Sequence, residues 1–164
     1  MDNVHFTSKS QTWNTPKDFY DLLNSVWGFT LDVACLEDSA LCTKYFTPDD
    51  DGLVQDWGKE ICWMNPPYND IKSWCAKAQD AYLKGATVVG LIPARTDTKA
   101  FHDHIVQDCS CICFVKGRLK FYNGGDTLNS APFPSMLFIL DKDLTTEKIK
   151  VLDSIGSVLK HKGK

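Results

Sequence analysis

Apolar positions recur at helical spacing in some stretches of the chain and run together or alternate in others. The switches between these two periods set out the elements. Phe19, Leu22, Leu23 and Val26 follow at i, i+3, i+4 and i+7 and predict an amphipathic helix. Thr15-Pro16-Lys17-Asp18 provides an N-cap, a proline at the first helical position and an acid in the first turn, and Gly28 ends the helix. Phe29–Ala34 predicts a short strand. From Cys35 to Trp57 the pattern is irregular, with a turn at Asp49-Asp50-Asp51-Gly52. Ile61–Met64 is a second apolar run, stopped by Asn65-Pro66-Pro67-Tyr68. Ile71, Trp74, Cys75, Ala78 and Tyr82 then have helical spacing, and Thr87–Ile92 reads as a strand buried on both faces. A helix is expected over 97–107, strands over 111–115 and 117–122, a Gly/Asn/Pro-rich loop over 123–134, a strand over Ser135–Leu140 and a last helix over 145–160.

Helices and strands alternate without repeats or an evident linker. That predicts one α/β domain over 1–164 with a mostly parallel sheet, the closely spaced late strands adding antiparallel members. The length of 164 residues suits a single domain, and 43% apolar with 24% charged residues is ordinary for a globular chain. No apolar run approaches the roughly 20 residues of a membrane helix. The first residues lack the basic start and apolar core of a secretory signal, so a cytoplasmic protein without a membrane partner is expected. The seven cysteines form no C-x-x-C pair, which favours reduced structural thiols and no metal. Cys109, Cys111 and Cys113 would share one face of a strand.

The net charge of −3 argues by itself against a polyanionic partner, but its distribution does not. Residues 1–82 carry 13 acidic and 6 basic side chains, residues 83–164 carry 8 and 12. The C-terminal half can therefore face a polyanion. Lys116, Arg118 and Lys120 would lie on one face of a strand and could run along a DNA backbone, or protect an exposed edge. Arg95 follows a strand end and a proline, where active-site loops belong. The 123–130 stretch is a candidate mobile element near a substrate.

Asn65-Pro66-Pro67-Tyr68 is the most informative motif. A tetrad of this type arises by chance in roughly 1% of such chains, and it stands at a strand end, where open α/β sheets bind ligands. An exocyclic amine on an aromatic base is a poor nucleophile, because its lone pair is delocalised into the ring. The Asn65 oxygen and a neighbouring backbone carbonyl can accept its two N–H bonds and draw it toward tetrahedral geometry. The prolines lack N–H donors and fix the backbone that carries those acceptors. Tyr68 offers a flat face to a flipped base. With a sulfonium donor no strong base is needed, since attack neutralises its charge. These residues suit methyl transfer from S-adenosylmethionine to an adenine amine.

The chain resembles the phage-type DNA adenine-N6 methyltransferases. The resemblance runs through Gln11-Thr12, Thr15-Pro16, Phe29–Cys35, Tyr45-Phe46-Thr47, Asp51-Gly52-Leu53, Asp56-Trp57 and the tetrad. It continues through Leu91–Thr98, Gly117–Phe121 and Ala131–Ser135. It implies a Rossmann-like class I methyltransferase fold, S-adenosylmethionine as cofactor and adenine in DNA as substrate. By position, Thr15 and Pro16 would meet the methionine end of the cofactor, at a helix N-terminus suited to a carboxylate. Asp32, Ala34 and Cys35 would form the first strand and loop of the cofactor site, with Asp32 on the methionine amine. Asp56 would contact the adenosine end. Asn65, Pro66, Pro67 and Tyr68 would be the catalytic group; Arg95, Lys116, Arg118 and Lys120 would bind DNA.

The sequence departs from the usual adenine methyltransferase at one place. Cys35-Leu36-Glu37-Asp38-Ser39 stands where a glycine-rich loop is expected, which leaves close backbone approach to the cofactor unexplained. A methyltransferase-like DNA-binding regulator without activity, and a methyltransferase acting on RNA or on a protein glutamine, are alternative readings. The core uses nearly the whole length, so no separate target-recognition domain is expected. Insertions such as 36–57 and 123–134, helped by a homodimer, would read a short or relaxed site.

Overall fold

The computed structural model describes residues 13–122 and 128–161. Gln11-Thr12, the N-terminal residues before them, the 123–127 part of the expected loop and the last three residues lie outside the described residues. A seven-stranded sheet has the order β2 (Lys44–Tyr45), β1 (Leu31–Asp32), β3 (Ile61–Met64), β4 (Thr87–Pro93), β8 (Ser135–Leu140), β5 (Cys111–Val115) and β9 (Gly156–Lys160). The pairs β1–β2, β1–β3 and β3–β4 are parallel, whereas β4–β8, β5–β8 and β5–β9 are antiparallel. Five strands therefore run one way and only β8 and β9 oppose them. This is the Rossmann-like arrangement the resemblance implies, with an antiparallel strand inserted between β4 and β5. A separate hairpin joins β6 (Lys120–Tyr122) to β7 (Leu128–Ser130).

Helices cover both faces. Helix α2 (Ile71–Leu83) seats Trp74, Cys75 and Ala78 on one face, against Val33, Met64, Val88 and Phe138. Helix α1 (Lys17–Trp27) and helix α3 (Thr146–Ile155) seat Tyr20, Leu23, Trp27 and Leu152 on the other, against Trp63, Leu91, Cys111 and Leu137. The two side-chain sets come from alternate positions of the same strands, as the period of two requires. Burial on both faces explains why β4 and β8 read as continuous apolar runs. Gly90 lets them pair closely, since a Cβ there would lie 2.2 Å from the Phe138 ring. No helix among the described residues is long and apolar enough to cross a membrane.

Several elements depart from the expected boundaries. Strand β1 is only two residues long, although Thr30 and Val33 still donate their N–H groups to Ile61 and Trp63 carbonyls at 2.8 and 3.1 Å. The irregular 35–57 stretch contributes β2, held at the sheet edge by the pairing with β1. Helix α1 begins after Pro16, and Thr15 gives it no side-chain cap. The 97–107 segment is helical only from Lys99 and continues as a π-helical turn, Phe101–Ile105, marked by the Val106 N–H bond to the Phe101 carbonyl. Gly117, with φ of +77°, turns the chain after β5, so the next strand starts at Lys120 and not at 117. The 123–134 loop includes strand β7. The last helix stops at Ile155. Gly156 starts β9 so close to β5 that a Cβ would lie 2.1 Å from the Phe114 carbonyl, and β-branched Val158 continues the strand opposite Cys113. Cys111 and Cys113 share one face, but Cys109 precedes the strand and packs on the other.

Candidate active site

The chain passes from β1 to β2 on one side and then returns to β3 on the other. The C-terminal ends of β1 and β3 therefore diverge and open the crevice in which such sheets bind ligands. Asp32 ends β1, and Asn65 follows the last residue of β3. Asn65 is held from behind. Its Nδ2 donates to Thr15 Oγ1 at 3.0 Å and to the Trp13 carbonyl, while its Oδ1 accepts from the Tyr68 hydroxyl at 3.0 Å. Both amide hydrogens are thus used within the chain, which fixes the direction of the oxygen. Thr15 is drawn into the site by this bond. The Pro66 carbonyl accepts no hydrogen bond among the described residues. Tyr68 lies edge-on to Phe133 at 5.4 Å between ring centres, and Trp13 meets Phe133 and Phe121 at 5.7 and 5.8 Å.

Asp32 is 2% exposed, and its carboxylate accepts the Leu41 N–H at 3.1 Å and the Ala34 N–H at 3.4 Å. Burial outweighs these bonds and raises its pKa to about 6. Burial likewise pushes the Cys35 and Cys42 thiols up, so neither is a ready thiolate. Thr15, Asp32, Cys35, Leu41 and Asn65 surround a narrow space of about 20 Å³.

Two larger cavities border the tetrad, the first sharing Ala34 and Cys35 with this space. One, of about 250 Å³, is walled by Val33, Phe46, Leu53, Pro67 and Trp74, with Asp51 at its edge. The other, of about 270 Å³, lies beyond Tyr68 and carries Lys72, Arg95 and Lys99. The tetrad thus divides the site, with Asn65 on the narrow space, Pro67 on the apolar cavity and Tyr68 on the basic groove.

A family model described as DNA N-6-adenine-methyltransferase (Dam) matches residues 4–163. The chain belongs to this family. A protein of Haemophilus phage HP1 (strain HP1c1) named DNA N-6-adenine-methyltransferase is 28% identical over 140 residues, covering 82% of this chain and 80% of that protein. A protein of Escherichia phage T1 with the same name is 30% identical over 147 residues, covering 78% of this chain and 61% of that one. The chain is a DNA adenine-N6 methyltransferase, and S-adenosylmethionine is its methyl donor.

The residues present fit that cofactor. A flat adenine suits the apolar cavity between Phe46, Leu53 and Trp74, whose volume approaches the roughly 300 Å³ at which small-molecule sites begin. A methionine ammonium suits a buried carboxylate such as Asp32. Gly52 lets the wall of this cavity pack closely behind it, since a Cβ there would lie 2.2 Å from the Val33 carbonyl and 3.0 Å from Trp74.

Other residues named in the sequence fall elsewhere in the methyltransferase. Asp56 does not line the apolar cavity. Its carboxylate accepts the Gly58 N–H at 2.8 Å and borders a shallow groove with Lys77 and Lys84, so Asp51 is the carboxylate at the cavity edge. Lys116, Arg118 and Lys120 do not share a strand face, because Gly117 turns the chain between them. Arg118 and Lys120 instead line a groove with Pro16 and Lys17, while Arg95 stands across the site beside Tyr68. Sequence reasoning passed over Trp13, Phe46, Gly52, Lys72, Trp74 and Lys99. Phe46 and Gly52 lay in segments that carried the resemblance without a role, and Trp74 read as helical core.

Proposed function

We propose that the methyltransferase receives an adenine turned out of the duplex and holds its N6 amine at the Asn65 oxygen and the Pro66 carbonyl. The observation that carries this reading is the anchoring of the Asn65 amide by Thr15 and Trp13. It fixes Asn65 at the end of β3 on the narrow space it shares with Asp32, its oxygen meeting the Tyr68 hydroxyl. S-adenosylmethionine supplies a methyl group on a positively charged sulfur, which departs as a neutral thioether.

Asn65 Oδ1 and the Pro66 carbonyl each accept one amine hydrogen and withdraw the nitrogen lone pair from the ring. Pro67 keeps the carbonyls in register and closes the apolar cavity. Tyr68 stacks on the base, its hydroxyl staying on the second lone pair of Asn65 Oδ1 or turning aside as the amine arrives. With the cofactor bound, Asn65 Oδ1 and the Pro66 carbonyl would present the amine lone pair to its methyl group and would hold the amine hydrogens until one is released as a proton after transfer. Orientation and exclusion of water supply most of the rate.

Thr15 acts through Asn65 and is a positioning residue. Asp32 would take the cofactor's ammonium, and Ala34 and Cys35, which line both the narrow space and the apolar cavity, would border its path between them; Pro16 lines the Arg118 groove instead. Arg95 and Arg118 with Lys120 hold DNA from opposite sides. Target reading falls to the insertions of this single domain and to a second subunit in a homodimer, acting in the host cytoplasm.

Labelled S-adenosylmethionine offered with DNA, RNA and bulk protein side by side tests the reading. The expected result is label in DNA as N6-methyladenine. Label confined to RNA or to protein glutamine, or none with any substrate, would overturn it.

A further inference from the structure

The groove beyond Tyr68 holds two cations, Lys72 and Lys99, to which the proposed function gives no part. Its floor is apolar, formed by Tyr68, Ile71 and Phe101, and its rim carries three cations, Lys72, Arg95 and Lys99, with no carboxylate in its lining. None of the three cations is in an ion pair among the described residues, whereas Lys17, Lys44, Lys84 and Lys148 all are. All three side chains are exposed. Lys72 lies in the first turn of α2, at the positive end of that helix, which favours an anion beside it. Lys72 projects from the helix that follows the tetrad, and Arg95 from the loop after β4. Lys99 follows on the same connection, so two segments of the chain converge on one concavity.

We infer that Lys72, Arg95 and Lys99 grip the phosphates on either side of the flipped nucleotide, while the floor beneath them carries its sugar and base edge toward Asn65. The inference rests on the proposed function and deepens it. Two lysines that sequence reasoning passed over become the clamp that keeps the target nucleotide out of the duplex. The other basic groove, at Arg118 and Lys120, then takes the backbone of the remaining duplex.

The test is the salt dependence of DNA affinity. Each phosphate contact contributes about 0.9 to the slope of log affinity against log salt. The double variant Lys72→Gln/Lys99→Gln is expected to flatten the slope by about 2, and Arg95→Gln by about 1. S-adenosylmethionine affinity, measured by calorimetry on each variant, is expected to stay unchanged. Lys150→Gln, on exposed α3 across the sheet, removes a charge outside the groove and is expected to leave the slope unchanged. A wild-type slope in the groove variants, or an equal flattening in Lys150→Gln, overturns the clamp. If the double variant loses cofactor binding, the Arg95→Gln slope decides alone. Failure of the wild-type protein to methylate DNA overturns the underlying reading instead, so the two failures are told apart.

Discussion

Lowering the pH from 7 to 5 perturbs one buried carboxylate in the cofactor cleft, Asp32. Burial raises its pKa from the ordinary 3.8 to about 6, against the opposing pull of two backbone N–H bonds. On the proposed placement of the cofactor's ammonium at Asp32, only the ionised form would pair with it. At pH 5 about one molecule in ten has Asp32 ionised, so cofactor affinity is expected to fall about tenfold, about 1.4 kcal/mol. Above roughly pH 8 the cofactor's own amine loses its proton and affinity falls again.

Stability of the unliganded protein moves the other way. Between about pH 4 and 6 the folded state holds the Asp32 proton more tightly than the unfolded state does. Stability from this group is therefore present at low pH and is lost as the pH rises through the folded value of about 6, by up to about 3 kcal/mol. Calorimetric titration with S-adenosylmethionine from pH 5 to 8, paired with thermal melts of the free protein, gives both curves. The Asp32→Asn variant removes the dependence from each. Cofactor affinity constant from pH 7 to 5, or the same acid profile in Asp32→Asn, would refute the placement of the ammonium on Asp32.

Thr15→Val keeps the shape of Thr15 but removes the acceptor on Asn65 Nδ2. We expect kcat to fall by about 1–3 kcal/mol in barrier, or roughly 5- to 150-fold, with cofactor affinity unchanged and partial rescue by Thr15→Ser. Gly52→Ala forces a methyl against the Val33 carbonyl and Trp74. The expected cost is about 1–3 kcal/mol, seen as a melting temperature lower by roughly 2–12 °C together with weaker cofactor binding. Lys148→Ala strips the buried partner from Asp141, which the Lys148 ammonium meets at 2.8 Å. The Trp27 indole N–H still reaches that carboxylate at 2.9 Å, so the loss is expected near about 3 kcal/mol in denaturant unfolding. Methylation per folded molecule should be kept.

The strands that carry the site were legible because burial on both faces leaves uninterrupted apolar runs. Ile61–Met64 has the expected ends, and β4 extends the expected run by one residue. The tetrad was legible because two prolines after a strand are rare and rigid. What escaped depends on contacts between distant segments. Helix α1 and the turn before it look like a capped helix from sequence, yet the Thr15 hydroxyl is taken by Asn65, fifty residues away. The 145–160 stretch keeps helical character until Gly156, where room against β5 lets the chain extend as an edge strand. Asp51 and Asp56 are both turn carboxylates in sequence. Only the fold shows Asp51 at the edge of the apolar cavity and Asp56 outside it. The alternation of Lys116, Arg118 and Lys120 assumed a strand that the left-handed Gly117 breaks.

The central claim is that the Asn65 oxygen activates and holds the target amine. Single-turnover methylation of DNA by the wild-type protein and by Asn65→Ala, with N6-methyladenine quantified by mass spectrometry at saturating cofactor, tests it most directly. The rate in Asn65→Ala is expected to be lower by about two to three orders of magnitude, of the size seen when a transition-state hydrogen bond is removed, with cofactor affinity intact. A variant that methylates adenine within a few-fold of the wild-type rate would contradict it.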